Sequence, residues 1–176
     1  MRFKLFSYKK IKSTNDMAIK KIKSKNNHGI ITSELQTRGR GRYGKKWISI
    51  KGNLFVSIFF QINKKTNINK LTILNCSMVK KVLNNFIKQN IRIKYPNDLY
   101  VNKKKICGIL QESINYKEKK YIIIGIGINV VDSPEIKNYN TTFVNNNVKK
   151  VVTKDIIFSR LKNFYEKNIY RLKKCS

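Results

Sequence analysis

Residues 53–61, Asn53-Leu54-Phe55-Val56-Ser57-Ile58-Phe59-Phe60-Gln61, are apolar at nearly every position. A strand with one wet face alternates apolar and polar side chains, whereas a strand covered on both faces has no need to. This stretch therefore reads as the central strand of a sheet with structure on either side. Working outward, Phe3–Tyr8 reads as a short strand, and Ser13-Thr14-Asn15-Asp16 supplies N-cap chemistry for a helix reaching about Lys25. Gly29–Ser33 is a further strand. On the other side, Leu71, Leu74, Met78, Val82 and Phe86 recur at helical spacing. Ile91–Tyr95 is a strand ended by Pro96, and Lys104–Gln111 and Tyr121–Val130 form a hairpin across the charged turn at 115–119. Residues 132–147 are Asn-rich and loop-like, and Thr153 caps a last helix bearing Ile157, Leu161, Phe164 and Leu172. With no internal repeat and no linker, the pattern is a single α+β domain spanning residues 1–176, a sheet covered by helices.

Composition narrows the function. The chain holds no apolar run long enough for a membrane span, and Met1–Phe6 is too broken by charge for a signal-peptide core. Cys76, Cys107 and Cys175 lie far apart without metal-ligand spacing, which fits a reducing cytoplasm and no protein-held metal. The formal charge of +30 is spread along the chain together with abundant Asn and Ile, a pattern of coding bias more than of a selected nucleic-acid stripe. A small basic nucleic-acid-binding protein built on Arg38–Lys46 stays open as an alternative; its affinity would collapse between about 50 and 200 mM salt. A polyanion such as ATP would be drawn by the same field.

Four segments carry chemistry. Arg38-Gly39-Arg40-Gly41-Arg42-Tyr43-Gly44-Lys45-Lys46-Trp47 interleaves permanent charges, suited to phosphate or carboxylate, with glycines that admit a ligand to the backbone, and ends on a flat ring. By itself it is equally a solvated basic loop. Lys94-Tyr95-Pro96-Asn97-Asp98-Leu99, followed by Lys105-Ile106-Cys107-Gly108-Ile109-Leu110, reads locally as a turn between strands. Gly125-Ile126-Gly127-Ile128-Asn129 places two glycines in an apolar strand, a weakness unless something must approach closely. Ser13-Thr14-Asn15 alone would be a helix cap.

In this order and spacing the four segments resemble the catalytic domain of biotin–protein ligases, over roughly residues 10–130. The resemblance implies a mixed, mainly antiparallel sheet of the class II aminoacyl-tRNA-synthetase-like type. It implies two steps: biotin and ATP give biotinyl-5′-AMP and pyrophosphate, and the biotinyl group then passes to a lysine of the biotin carboxyl carrier protein of acetyl-CoA carboxylase. ATP and biotin are substrates, with Mg²⁺ entering with ATP. By the same resemblance Lys105, Arg42 and Asp98 are the catalytic candidates. Ser13, Thr14, Asn15, Gln36, Gly39, Arg40, Arg42, Lys105 and Gly108 are the expected biotin contacts. Arg40, Arg42, Lys45, Trp47, Asn97, Asp98, Lys105, Gly125, Gly127 and Asn129 are expected around ATP, with Asn129 and Trp47 near adenine. The Gly-Arg loop is expected to close over the adenylate as a mobile, solvent-excluding lid.

Two residues depart from the family pattern, Tyr95 where a Trp is usual and Lys45 where regulatory members carry Arg. Neither an N-terminal helix-turn-helix nor a C-terminal barrel is expected, so no sequence-specific DNA binding; a homodimer is left open. A lipoate-type ligase of the same fold is the enzyme alternative, and it lacks the Gly-Arg-Gly-Arg run.

Overall fold

The computed structural model describes residues 1–173, so Cys175 lies outside the described residues. Leu54–Ile62 forms β3, buried along almost its whole length, at the third position of a seven-stranded sheet of order β1-β2-β3-β7-β6-β5-β4. The others are β1 (Leu5–Ile11), β2 (His28–Gln36), β4 (Ile91–Lys94), β5 (Asp98–Val101), β6 (Lys104–Tyr116) and β7 (Lys119–Ile128). Only β1 and β2 run parallel, joined by the crossover helix α1 (Thr14–Lys23); every other pair is antiparallel. The sheet is thus mixed and mainly antiparallel, as expected.

Alternation sorts β3 onto two faces. Leu54, Val56, Ile58 and Phe60 join the larger core with α2 (Ile68–Leu83) and α3 (Lys154–Lys173), whereas Phe59 packs with Ala18 and Ile22 of α1. Helix α1 covers only part of its face. Beyond it, the ends of β6 and β7 would lie bare but for the Arg38–Trp47 segment.

Three details differ from the sequence reading. Residues 96–99 are not only a turn: Asp98 opens β5, a strand of four residues too short to show a period. The core side of α3 is Ile157, Leu161, Tyr165, Ile169 and Leu172; Phe164 is only partly buried, and the Tyr165 hydroxyl donates to Asn75 Oδ1 at 3.0 Å. The 132–147 loop is tied down at its start. Asn53 Oδ1 accepts from the backbone N–H of Val130 and Val131 at 2.8 and 3.0 Å, and its Nδ2 donates to Asp132 O at 2.8 Å.

Two hairpins of the sheet turn on residues with left-handed backbone. Asn102 and Lys103 (φ 48° and 62°) link β5 to β6, and Lys117 and Glu118 (φ 45° and 61°) link β6 to β7. Positive φ at both central positions is the type I′ signature, whose twist suits a hairpin.

Candidate active site

A cleft of about 310 Å³ opens on the bare half of the sheet, beside α1. Its floor is set by the pairing of Gly108 with Gly127 across β6 and β7. With no Cβ on either strand, the Trp47 indole lies directly on the backbone. A Cβ at Gly108 would stand 2.6 Å from its ring, and one at Gly127 2.5 Å. Gly125 makes room for the Asn15 amide in the same way. The glycines of the Gly-x-Gly strand therefore admit protein side chains to the backbone; the expected ligand approach is to what those side chains build.

Lys105 reaches the cleft through a backbone irregularity. Leu99 pairs with Cys107 but Tyr100 pairs with Lys105, so Ile106 is an extra residue in β6. Ile106 and Cys107 both enter the large core. The bulge reverses the alternation and turns Lys105 to the cleft side, where strict period two would have sent it into the core. There Lys105 Nζ lies 2.8 Å from Asp98 Oδ2. Lys104, one residue earlier, is exposed.

The Arg38–Trp47 segment is a small hairpin. Trp47 N–H donates to Gly39 O at 2.9 Å and Gly41 N–H to Lys45 O at 2.6 Å. Tyr43 (φ 54°) and Gly44 (φ 72°) form its turn. Gly39 serves the hairpin itself, since a Cβ there would meet Trp47 O at 2.6 Å, and it is absent from the cleft lining.

The two expected arginines differ in surroundings. Arg40 bridges Asp16 on α1 at 2.7 Å and Glu112 on β6 at 2.9 Å, pinning the hairpin to both. Burial, the largest single influence, opposes its charge, yet the two carboxylates outweigh it and raise its pKa. Arg42 touches Tyr43 instead, donating to the hydroxyl at 2.8 Å with its guanidinium 4.8 Å from the ring centroid. Among the described residues no carboxylate lies within ion-pair reach of Arg42.

On the α1 side, Thr14 N–H and Oγ1–H both donate to Gln36 Oε1, at 2.8 and 3.1 Å, and Ser13 Oγ accepts from Asp16 N–H. Asn15 donates to Glu112 Oε2 at 2.7 Å and accepts from the Ser57 hydroxyl. Asn97 donates to Ile109 O at 2.7 Å, fixing the approach to β5. Of all the expected site residues, only Gly39 and Asn129 stand off the lining. Asn129 is buried; its Nδ2 donates to Thr142 O at 3.1 Å, and its Oδ1 has no partner among the described residues.

Trp47 Nε1 and Asp98 Oδ1 are buried without a partner among the described residues. Two cleft residues with unsatisfied buried atoms mark a place completed by something else. Cys76 and Cys107 are poor candidates for chemistry. Burial first, then the Asp98 charge, pushes the Cys76 thiol up to about 11, and burial raises Cys107 well above its ordinary value. Among the described residues no cluster of three His, Cys, Asp or Glu could hold a metal ion, and no helix is long and apolar enough to cross a membrane.

Sequence reasoning missed Asp16, Glu112, Ser57, Tyr100 and Tyr139. Glu112 was recoverable, because it follows Gly108 and Leu110 at period two on β6. Tyr139, in the Asn-rich loop, carried no signal.

Comparison with known proteins agrees with this geometry. Residues 7–129 match the model of the biotin/lipoate A/B protein ligase family. The bifunctional ligase/repressor BirA of Escherichia coli is 33% identical over 123 residues, which cover 68% of this chain and 38% of that protein. The chain thus spans well under half the length of this relative. The biotin protein ligase of Aquifex aeolicus, solved in complex with biotin and ATP, superposes with a TM-score of 0.81 at 28% identity, covering 98% of this chain and 73% of that one. A Leishmania major biotin protein ligase in complex with biotinyl-5-AMP shares the fold with a TM-score of 0.72 at 23% identity, covering 98% of this chain and 81% of that one. With glycine floor, cationic hairpin and Lys105–Asp98 pair all inside the matched segment, this chain belongs to the biotin/lipoate A/B protein ligase family.

Proposed function

We propose that the chain is an ATP-dependent biotin–protein ligase. A carboxylate oxygen of biotin attacks the α-phosphorus of ATP, and the bond to the bridging oxygen of pyrophosphate breaks, leaving biotinyl-5′-AMP. A neutral lysine amine of a biotin carboxyl carrier protein, that of acetyl-CoA carboxylase by family analogy, then attacks the acyl carbon. AMP leaves, an amide forms and the amine proton passes to solvent. The observation that carries the reading is the Lys105 ammonium, held by Asp98 in a cleft with Arg42 and Lys45 at its rim. Two anions must meet in the first step, and a fixed cation between them stabilises their approach. The similarity to ligases solved with biotin, ATP or biotinyl-5-AMP supports the same substrates.

Thr14, Gln36, Ser13 and Asn15 present hydrogen-bonding groups for a polar head such as the ureido ring. Arg42 and Lys45 would hold phosphate, the Trp47 indole would border the adenylate, and Asp98 orients Lys105. Arg40 lines the cleft and also holds the hairpin, through its ion pairs with Asp16 and Glu112. Among the described residues Asp98 is the carboxylate that lines the cleft, and its Oδ2 is paired with Lys105, so a metal would be carried chiefly by the phosphates. Incubating the protein with biotin and ATP should yield biotinyl-5′-AMP and pyrophosphate. A folded protein that forms neither overturns the reading.

The two arginines should separate. Arg42→Ala should leave thermal stability within about 0.5 kcal/mol, since among the described residues its guanidinium hydrogen-bonds only the exposed Tyr43. Its adenylate should escape faster, by about 1.5–3 kcal/mol of lost charged contact. Arg40→Ala should instead lower stability, by about 1 kcal/mol for two partly exposed ion pairs. Unfolding curves with adenylate dissociation rates check both; equal effects in both assays would refute the division.

A further inference from the structure

The family match ends at residue 129, yet the segment beyond it contributes an aromatic ring to the cleft, Tyr139. That segment is stitched to the start of β6: Lys105 N–H donates to Asn140 O at 2.8 Å, and Thr142 N–H donates to Lys105 O at 2.8 Å. Thr141 Oγ1 is tied back to Pro134 O at 2.6 Å. This pairing delivers Tyr139 to one side of the Lys105 ammonium, its ring centroid 5.2 Å from Nζ. The Trp47 centroid lies 5.6 Å from the same nitrogen, and Asp98 Oδ2 is 2.8 Å away. The Lys105 side chain is 13% exposed. A desolvated ammonium facing ring faces is held electrostatically without any hydrogen-bond acceptor.

We infer that Tyr139 is a positioning residue which, with Trp47, clamps the Lys105 ammonium between two aromatic faces before the anionic substrates arrive. A carboxylate provides one strong contact and leaves the four-carbon stem of lysine free to swing about it. Ring faces restrict the swing while leaving the remaining N–H groups available to incoming oxygens. A second carboxylate would do the restraining too, but it would compete with the substrates for the same charge and repel them.

The rate part of this inference rests on the ligase reading. Three variants divide the contributions: Tyr139→Phe keeps the ring face, Tyr139→Leu keeps bulk without it, and Tyr139→Ala removes both. With biotin and ATP, kcat for pyrophosphate release should fall on the order of tenfold in the Leu and Ala variants. KM for biotin should change by less than about twofold, as a group acting through Lys105 in the transition state requires. Tyr139→Phe should recover most of the loss. Independently of any ligase activity, acetylation by N-hydroxysuccinimidyl acetate, read by mass spectrometry as the ratio of Lys105 to exposed Lys104, should rise severalfold in Tyr139→Ala and stay near the parent in Tyr139→Phe. Melting curves establish that each variant is folded. The inference is overturned if Tyr139→Leu matches Tyr139→Phe in kcat, or if the acetylation ratio is unchanged in Tyr139→Ala. Should the parent itself release no pyrophosphate, the ligase reading fails and the acetylation ratio alone decides the clamp.

Discussion

Lys105→Ala should remove nearly all adenylate formation, a loss of about 100- to 1,000-fold in pyrophosphate release, the usual cost of one preorganised charge-stabilising group. Biotin binding should weaken far less. The ammonium can stand between two anions only when both are present, so its contribution grows toward the transition state. The structure adds a second consequence. Asp98 would be left with one buried oxygen already unpartnered and the other stripped of its cation. Stability should therefore fall. Lys104→Ala separates local charge from position: Lys104 shares the charge and the strand but is exposed, opposite Val101. Its substitution should be close to silent. Pyrophosphate release and biotin titration of both variants decide the matter. Similar small losses in both would mean that the lysine run is only a charged edge.

The second large effect is expected at Gly127. Gly127→Val places branched carbons where the Trp47 indole lies, and an added Cβ alone would be 2.5 Å from it. Either the ring leaves the floor, carrying the hairpin leg that hydrogen-bonds Gly39, or the strands part. Overpacking of this kind costs about 3 kcal/mol, at the upper end of its usual range. Adenylate retention should fall at least about tenfold, because the hairpin bearing Arg42 is displaced with the ring. A double-mutant cycle tests the cause. In a Trp47→Ala background the same valine no longer meets the indole, so its cost should shrink to under about half. An undiminished cost in that background would place the strain in the strand itself.

Much of this site was legible before any coordinates. The four motifs supplied the cleft's Ser13–Asn15 corner, the hairpin, Asp98 and Lys105, because their residue types are dictated by what they contact. α1 followed from its N-cap residues, and α2 and α3 from apolar spacing. What could not be read is whatever depends on phase and partner. The bulge at Ile106 is invisible in Lys-Lys-Ile-Cys-Gly, yet it alone decides that Lys105 faces the cleft. β5 is four residues long and its boundaries look like a turn. Arg40 and Arg42 are chemically identical in sequence, and only the long-range placement of Asp16 and Glu112 tells them apart. Tyr139 arrives through backbone pairing to Lys105, for which no side-chain pattern exists.

The turn joining β6 to β7 leaves room for a sturdier version of this protein. Lys117 and Glu118 both hold left-handed backbone, a conformation that costs side-chain-bearing residues roughly 1 kcal/mol or more apiece and that Asn-Gly adopts readily. The turn lies eight residues of β6 from Gly108, about 26 Å at the usual strand rise of ~3.3 Å. For an engineer, then, the tolerance needed to absorb damaging changes in the cleft can be raised at the opposite rim, with the chemistry left untouched.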